Sequence, residues 1–378
     1  MKLSIIILNY KVPYHLLLCL QSVEKAIQNL NAEIIVVDNH SEDETAKLVK
    51  KHFPRIILFQ NEQNEGFSKG NNKGIQIAKG EYICVLNPDT VVSERVFQNV
   101  LKFAENHLNF GAIGVKMIDG TGNFLPESKR NLPIPRVAFQ KLLGNTKNYY
   151  ATHLTENETG KATILPGAFM FMKKARYEEV GGLDETYFMY GEDIDLSYKF
   201  TQAGYENYYV GSESILHFKG ESTVKNSEYL QRFYGAMRLF HQKHFPSNFA
   251  TDLLVKYGLE AAKLSNRIKS KNKKRVFKKS KNLFWATNFE TLLPEKFLQK
   301  TGLEPVILSP EKLSQQKIED ALIVFDTESF SFEKILEFMQ DIKNHGNRFR
   351  IKSGDFIIGS DSSSEKGEVV FYRLKSIS

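Results

Sequence analysis

The sequence predicts an α/β fold with a parallel sheet, from three observations. Short apolar runs recur in the first half: Leu3 to Leu8, Glu33 to Val37, Ile56 to Gln60 and Tyr82 to Leu86. Helix-like segments separate them. Three of these runs end in polar residues, Asn9-Tyr10, Asp38-Asn39 and Asn87-Pro88-Asp89-Thr90. A βαβ rhythm of this kind implies right-handed crossovers, and open α/β sheets bind ligands beyond the carboxyl ends of their strands. Asn9, Asp38 and Asp89 therefore converge on one crevice.

In order, SIIILN predicts a first strand. Its apolar stretch is too short for a leader and lacks a small-residue cleavage site. HLLLCLQSVEKAIQNL predicts a helix, EIIVVDN a second strand, and Ser41 with Glu44 three residues on a capping box opening the next helix. RIILFQN predicts a third strand. Gly66 to Gly74, within NEGFSKGNNKGIQIAKG, turns into a short helix; it is neither GxGxxG nor a Walker loop, but its glycines and asparagines suit either close approach of an anion or a plain helix start. YICVL then predicts the strand that delivers Asp89. A helix from Phe97 and the strand GAIGVKMI follow, then an aperiodic stretch, Asp119 to Gly160, long enough to be a mobile segment or a binding lid. LPGAFMFMKK predicts another strand with Gly167 at its start. Glu192, Asp193 and Asp195 open a helix; three acids in four residues exceed what the helix dipole requires, and their clustering raises a carboxyl pKa toward that of a general base. His217 follows a further short strand. On its own it reads as a structural histidine; beside Asp89 and a diphosphate it would complete an oxygen-rich site for Mg²⁺ or Mn²⁺.

At 378 residues the chain has room for two domains, divided here as 1–245, a helical basic linker 246–281, and a small α/β unit 282–378. Within that last unit, NLFWATN, EPVILS, ALIVFD, FRIKSG, FIIGSD and VVFYRL predict strands, and the loop GSDSSSEKGE suits solvent better than phosphate. Cys19 and Cys84, both in apolar runs, predict buried reduced thiols of a cytoplasmic protein. No run is long enough to span a bilayer. The net charge of +7 is concentrated: Lys263 to Lys281 holds ten Lys or Arg and no acid, leaving 41 basic against 44 acidic residues elsewhere. That segment suits either a solvated linker or contact with an anionic membrane. Phe277 is its single aromatic, too few for base stacking along a strand, which disfavours nucleic acid.

The order SIIILNY, VVDN, NEGFSKGNNKGI, VLNPDT, LPGAFMFMKK, GLDETYFMYGEDIDLSYKF and H-x-K-G resembles glycosyltransferase family 2 over about Met1 to Phe245, most closely the bacterial rhamnosyltransferase-type enzymes of surface polysaccharides. The resemblance implies a GT-A fold, a nucleotide diphosphate sugar donor, an inverting transfer, and a glycan or lipid-linked glycan acceptor at the inner face of the cytoplasmic membrane. It makes Asn9 and Asp38 contacts to base and ribose and lines the nucleotide crevice with Asn64, Gly66 and Asn71. Asp89 becomes the metal-binding acid of a DxD-like motif, His217 a second metal ligand, and Asp193 the catalytic base. Two departures stand out: Asn87 replaces the first acid of that motif, and Asn71 stands where many relatives carry Arg. A non-catalytic nucleotide-sugar-binding or scaffold protein is the alternative of different class.

Overall fold

The computed structural model describes residues 1–134, 136, 137, 140, 145–220, 227–245, 280–289, 293–362 and 366–371. The first half runs β1 (Leu3–Asn9), α1 (Pro13–Ala26), β2 (Ala32–Asp38), α2 (Thr45–His52), β3 (Ile57–Gln60), α3 (Gly66–Ile77) and β4 (Tyr82–Leu86). Strands β3-β2-β1-β4 are parallel, with Asn9 level with Asp38 and Ile7 with Leu86, so the polar strand ends finish along one edge. Leu3, Ile5, Ile6 and Ile7 are fully buried. Each such side chain contributes about 1.5–3 kcal/mol by leaving water, which is why this run forms the inner strand of the sheet.

The chain then changes direction. β5 (Thr90–Val92) leaves the centre of the sheet, α4 (Val96–Asn106) and β6 (Phe110–Ile118) follow, and β7 (Gly160–Lys161) precedes β8 (Phe169–Lys173). β8 runs antiparallel to β4, pairing Phe169 with Leu86. After α5 (Lys174–Glu179) and α6 (Glu192–Gln202), the long β9 (Glu206–His217) pairs parallel to β6 and antiparallel to β5, giving the order β3-β2-β1-β4-β8-β6-β9-β5, with β7 on β9. α7 (Ser227–His244) packs on α6.

A second sheet is built from β10 (Asn282–Ala286), β11 (Pro305–Leu308), β12 (Ala321–Asp326), β13 (Arg348–Ser353), β14 (Phe356–Gly359) and β15 (Glu368–Phe371), in the order β11-β10-β12-β13-β14-β15, with helices α8 (Glu295–Thr301), α9 (Pro310–Ser314) and α10 (Phe332–Asp341). One face of this sheet packs a cluster of its own, with Leu283, Trp285, Phe297, Leu322 and Val324, whereas the other joins the core of the first half. Phe332, Met339, Phe356 and Ile358 belong to the same buried cluster as Leu16 and Leu20 of α1 and Val91 and Val92 of β5. The Tyr14 ring packs edge-on against Phe356 and Phe371, at centroid distances of 5.4 and 4.5 Å.

Two local expectations change. Ser41 does not cap α2; its hydroxyl bonds Asp38 and accepts from Asn9 and the Lys11 amide, because Glu44 occupies the position before the helix. Ser360 and Ser362 in the Gly359–Glu368 loop are buried rather than solvated, and Asp361 there pairs with Arg348 and Arg350, which ties the loop to β13. Both cysteines are free and buried, as the sequence predicts. The basic run lies outside the described residues except for Ser280 and Lys281. Among the described residues no helix is long and apolar enough to cross a membrane.

Candidate active site

At the carboxyl edge of β1 and β4 lies a cavity of about 410 Å³. Asp89 enters it because the chain breaks between β4 and β5: β4 ends at the sheet centre and β5 crosses to β9. Thr90 is opposite His217 in the β5–β9 register, and the Phe218 amide donates to the Asp89 carbonyl at 3.0 Å. Two residues 128 positions apart are thereby locked side by side, with His217 Nε2 3.4 Å from Asp89 Oδ1. Burial works against ionisation of Asp89, but the neighbouring His217 and His15 hold its carboxyl below the usual range. His217 Nδ1 is buried without a hydrogen-bond partner.

Across the cavity, α6 begins after Gly191, whose φ of 82° sets the turn that aims Glu192 and Asp193 inward. Asp193 Oδ2 accepts from Arg130 Nη2 at 2.6 Å and from the Gly167 amide at 3.3 Å, while Oδ1 accepts from the Ile194 amide at 2.8 Å. A carboxylate has about four lone-pair sites, so one on Oδ1 remains open. Burial disfavours the Arg130 charge, yet Asp193 and Tyr149 more than offset that and keep it firmly protonated. Glu192 is the opposite case: burial, then the charge of Asp193, pushes its carboxyl up to about 8. Asp195, third of the acidic cluster, faces away from the cavity. It is fully buried and meets His244 at 2.6 Å and Lys243 at 2.9 Å on α7 and Lys199 at 3.5 Å. It anchors α7 to α6.

Asn64, Gly66, Asp89, Asp193 and His217 therefore share one cavity, as the sequence leads one to expect. Asn9, Asp38 and Asn71 stand behind its wall. Asn9 donates to Ser41 and Thr45 at 3.2 and 3.1 Å, Asp38 accepts from Ser41, and Asn71 donates to the Phe67 carbonyl at 2.9 Å within α3. The wall itself is Tyr10 and Asn39; Asn39 donates to Asn64 at 2.8 Å and accepts from Asn61 at 2.8 Å and the Glu65 amide at 3.0 Å. Gly66 owes its identity to protein rather than to an anion: φ is +81°, and a Cβ there would lie 2.4 Å from the Phe188 carbonyl oxygen.

Sequence reading missed Asn39, Arg130, Glu127 and Lys219. The last two form an ion pair at the cavity edge. Arg130, Glu127, Tyr149 and Tyr150 all come from the aperiodic Asp119–Gly160 stretch, whose described parts fold over the cavity through bridges of Arg130 to Tyr150 and Ile164. The lid expectation pointed to the right segment; nothing in a polar, aperiodic run says which of its charges turns inward.

The family model described as Glycosyl transferase family 2 matches residues 4–181, which span β1 to β8 and Asp89. Residues 4–181 are thus similar to glycosyltransferase family 2. It is 26% identical over 241 residues, 59% of this chain and 78% of the relative, to the N-acetylglucosaminyl-diphospho-decaprenol L-rhamnosyltransferase of Mycobacterium tuberculosis. It is also 26% identical over 214 residues, 52% of this chain and 78% of the relative, to the rhamnosyltransferase WbbL of Escherichia coli. Among solved structures, Staphylococcus aureus TarS 1-349 aligns with TM-score 0.46 and 17% identity over 73% of this chain and 75% of that one. The mannosyltransferase PcManGT of Pyrobaculum calidifontis, in complex with GDP-Man and Mn²⁺, aligns with TM-score 0.47 and 14% identity over 91% and 84%. Residues 4–181 thus fall in the Rossmann-like half of the molecule, which a small carboxyl-terminal α/β unit follows.

Proposed function

We propose that this glycosyltransferase moves a sugar, rhamnose being the first candidate, from a nucleoside diphosphate to a hydroxyl of a lipid-linked surface glycan, with inversion. The observation that carries the reading is that the Asp89–His217 pair and the Asp193 carboxylate face one cavity. The relatives' names, a diphospho-decaprenol rhamnosyltransferase and a rhamnosyltransferase, support the choice of sugar and acceptor.

The donor set fits a hard divalent ion. Asp89 supplies a charged oxygen and His217 an imidazole whose ring is only partly satisfied. Among the described residues no three acids, histidines or cysteines converge, so diphosphate oxygens and water would fill the remaining positions. Bound Mg²⁺ or Mn²⁺ would neutralise charge on the departing diphosphate. Asn64 and Gly66, with Tyr10 and Asn39 in front of Asn9 and Asp38, form the nucleotide end, and Asn71 stiffens the start of α3 behind it. Asp193 takes the acceptor proton through the open site on Oδ1, while Arg130 and two backbone amides fix its orientation. One base with in-line attack gives inversion; a retaining route would need a second carboxylate placed as nucleophile. The lysine-rich run 263–281 would hold the enzyme on anionic lipid at the inner face of the membrane.

Thermal unfolding of the full chain against a panel of nucleotide sugars, with and without Mn²⁺, tests the reading, since a ligand that binds only the folded state raises the transition. A Mn²⁺-dependent rise for one nucleotide family is expected. No rise with any of them would overturn it.

A further inference from the structure

We infer that the carboxyl-terminal unit positions the Asp89–His217 pair, with Glu94 as the positioning residue. The inference rests on the proposed role of that pair. β5 is three residues long and, among the described residues, pairs with β9 alone, so its own strand hydrogen bonds hold Asp89 weakly. Two helices cover β5: α1, whose Ser22 hydroxyl accepts from the Val92 amide at 3.1 Å, and α10, which buries Phe332, Ile335, Leu336 and Met339 in the same cluster as Val91 and Val92.

Two polar contacts tie this helix to the β5–β9 ribbon at points set apart along the helix. Two residues after β5, the Glu94 carboxylate accepts the first free amides of α10, Phe332 N at 2.8 Å and Glu333 N at 2.9 Å. A carboxylate there satisfies donors that have no partner within the helix and meets the positive end of its dipole. Arg95 pairs with Glu333 beside it. At the other end of α10, Gln340 Nε2 donates to Ser214 Oγ on β9 at 3.3 Å. One helix therefore clamps both strands whose far ends carry Asp89 and His217. The same unit reaches the lid: a Cβ on Gly120 would lie 2.7 Å from the Ser360 carbonyl oxygen, one on Gly122 would lie 2.1 Å from that of Met339, and Lys343 meets Glu156 at 3.4 Å. An appended sheet that only tethered a partner would not need to cap a helix with a residue from the catalytic sheet.

The test is Glu94→Ala, with Glu94→Gln as a milder variant that keeps one acceptor oxygen, followed by hydrogen exchange of the full chain. Loss of a helix cap speeds local opening by on the order of tenfold. That increase is expected in peptides covering 86–93 and 213–218 as well as in α10, with β1 and β2 unchanged. In parallel, calorimetry should show Mn²⁺-dependent binding of a nucleoside diphosphate weakened by a similar factor. Faster exchange confined to α10, or nucleotide affinity equal to wild type, would overturn the inference. Failure of the wild type to bind any nucleoside diphosphate would overturn the functional reading instead, with the exchange result still deciding whether Glu94 holds the ribbon.

Discussion

Arg130 Nη2 lies 2.6 Å from Asp193 Oδ2, in an ion pair whose two side chains are only 10% and 15% exposed. A carboxylate paired this closely is held in one orientation, so the proposed proton transfer falls to the one lone pair left on Oδ1.

Asp193→Asn should lower turnover by on the order of 10²–10⁴ while leaving nucleoside diphosphate affinity nearly unchanged, since an amide keeps the shape and cannot take the proton. Initial-rate kinetics with the donor found by the unfolding screen, beside calorimetry of the product nucleotide, separates the two effects. Wild-type turnover would remove Asp193 as the base.

Asp89→Ala should weaken Mn²⁺-dependent nucleotide binding more than His217→Ala does. The carboxylate offsets the ion's charge, whereas neutral imidazole supplies only a lone pair. Titration of each variant with and without Mn²⁺ ranks them, and an Asp89 variant that binds as the wild type does would take this residue out of the metal site.

Glu192 makes stability fall as pH rises. Its folded pKa, near 8, lies above the unfolded carboxyl value of 4.5, so the folded state holds a proton that the unfolded state has released. The contribution is complete below about pH 4.5 and is lost progressively up to about pH 8. Glu192→Gln should therefore be more stable than wild type at pH 8 and lose that advantage toward pH 5, as urea midpoints at the two pH values will show. An advantage independent of pH would mean that Glu192 is ionised throughout.

Asp195→Asn should destabilise the fold by about 3–5 kcal/mol, because Lys243, His244 and Lys199 would face a neutral amide in a buried setting. The proton-accepting chemistry should survive in the folded fraction. Denaturant unfolding measures the loss, and a change under 1 kcal/mol would end Asp195's role as the anchor of α7.

Replacing Lys271, Lys273, Lys274, Lys278 and Lys279 with Gln should release the protein from acidic liposomes, at ~1 kcal/mol per residue near such a surface, without altering transfer to a soluble acceptor analogue. Flotation at low and high salt on acidic and neutral vesicles checks this. Equal behaviour on both lipids would leave the segment a solvated linker.

The sequence by itself determined that the first half holds four strands of a parallel sheet, because apolar runs of strand length separated by amphipathic helices admit few other arrangements; their order, β3-β2-β1-β4, came from the structure. It also exposed Asp89, Asp193 and His217, since each stands at the end of a regular element where an ionisable residue breaks the local pattern. Tertiary structure alone decided what those residues meet. No periodicity reports that β5 crosses to β9 and brings Asp89 to His217, because that pairing joins positions 128 apart through a three-residue strand. Nor does it report that Asp195 turns to α7 while Asp193 two residues earlier turns to Arg130, a difference of about 200° around one helix. Asn9 and Asp38 were found as strand-end residues yet point into an inner hydrogen-bond network, and Asn39, one residue further, forms the wall. Side-chain direction at a strand end depends on the turn that follows, and that turn is fixed by contacts far away in the chain.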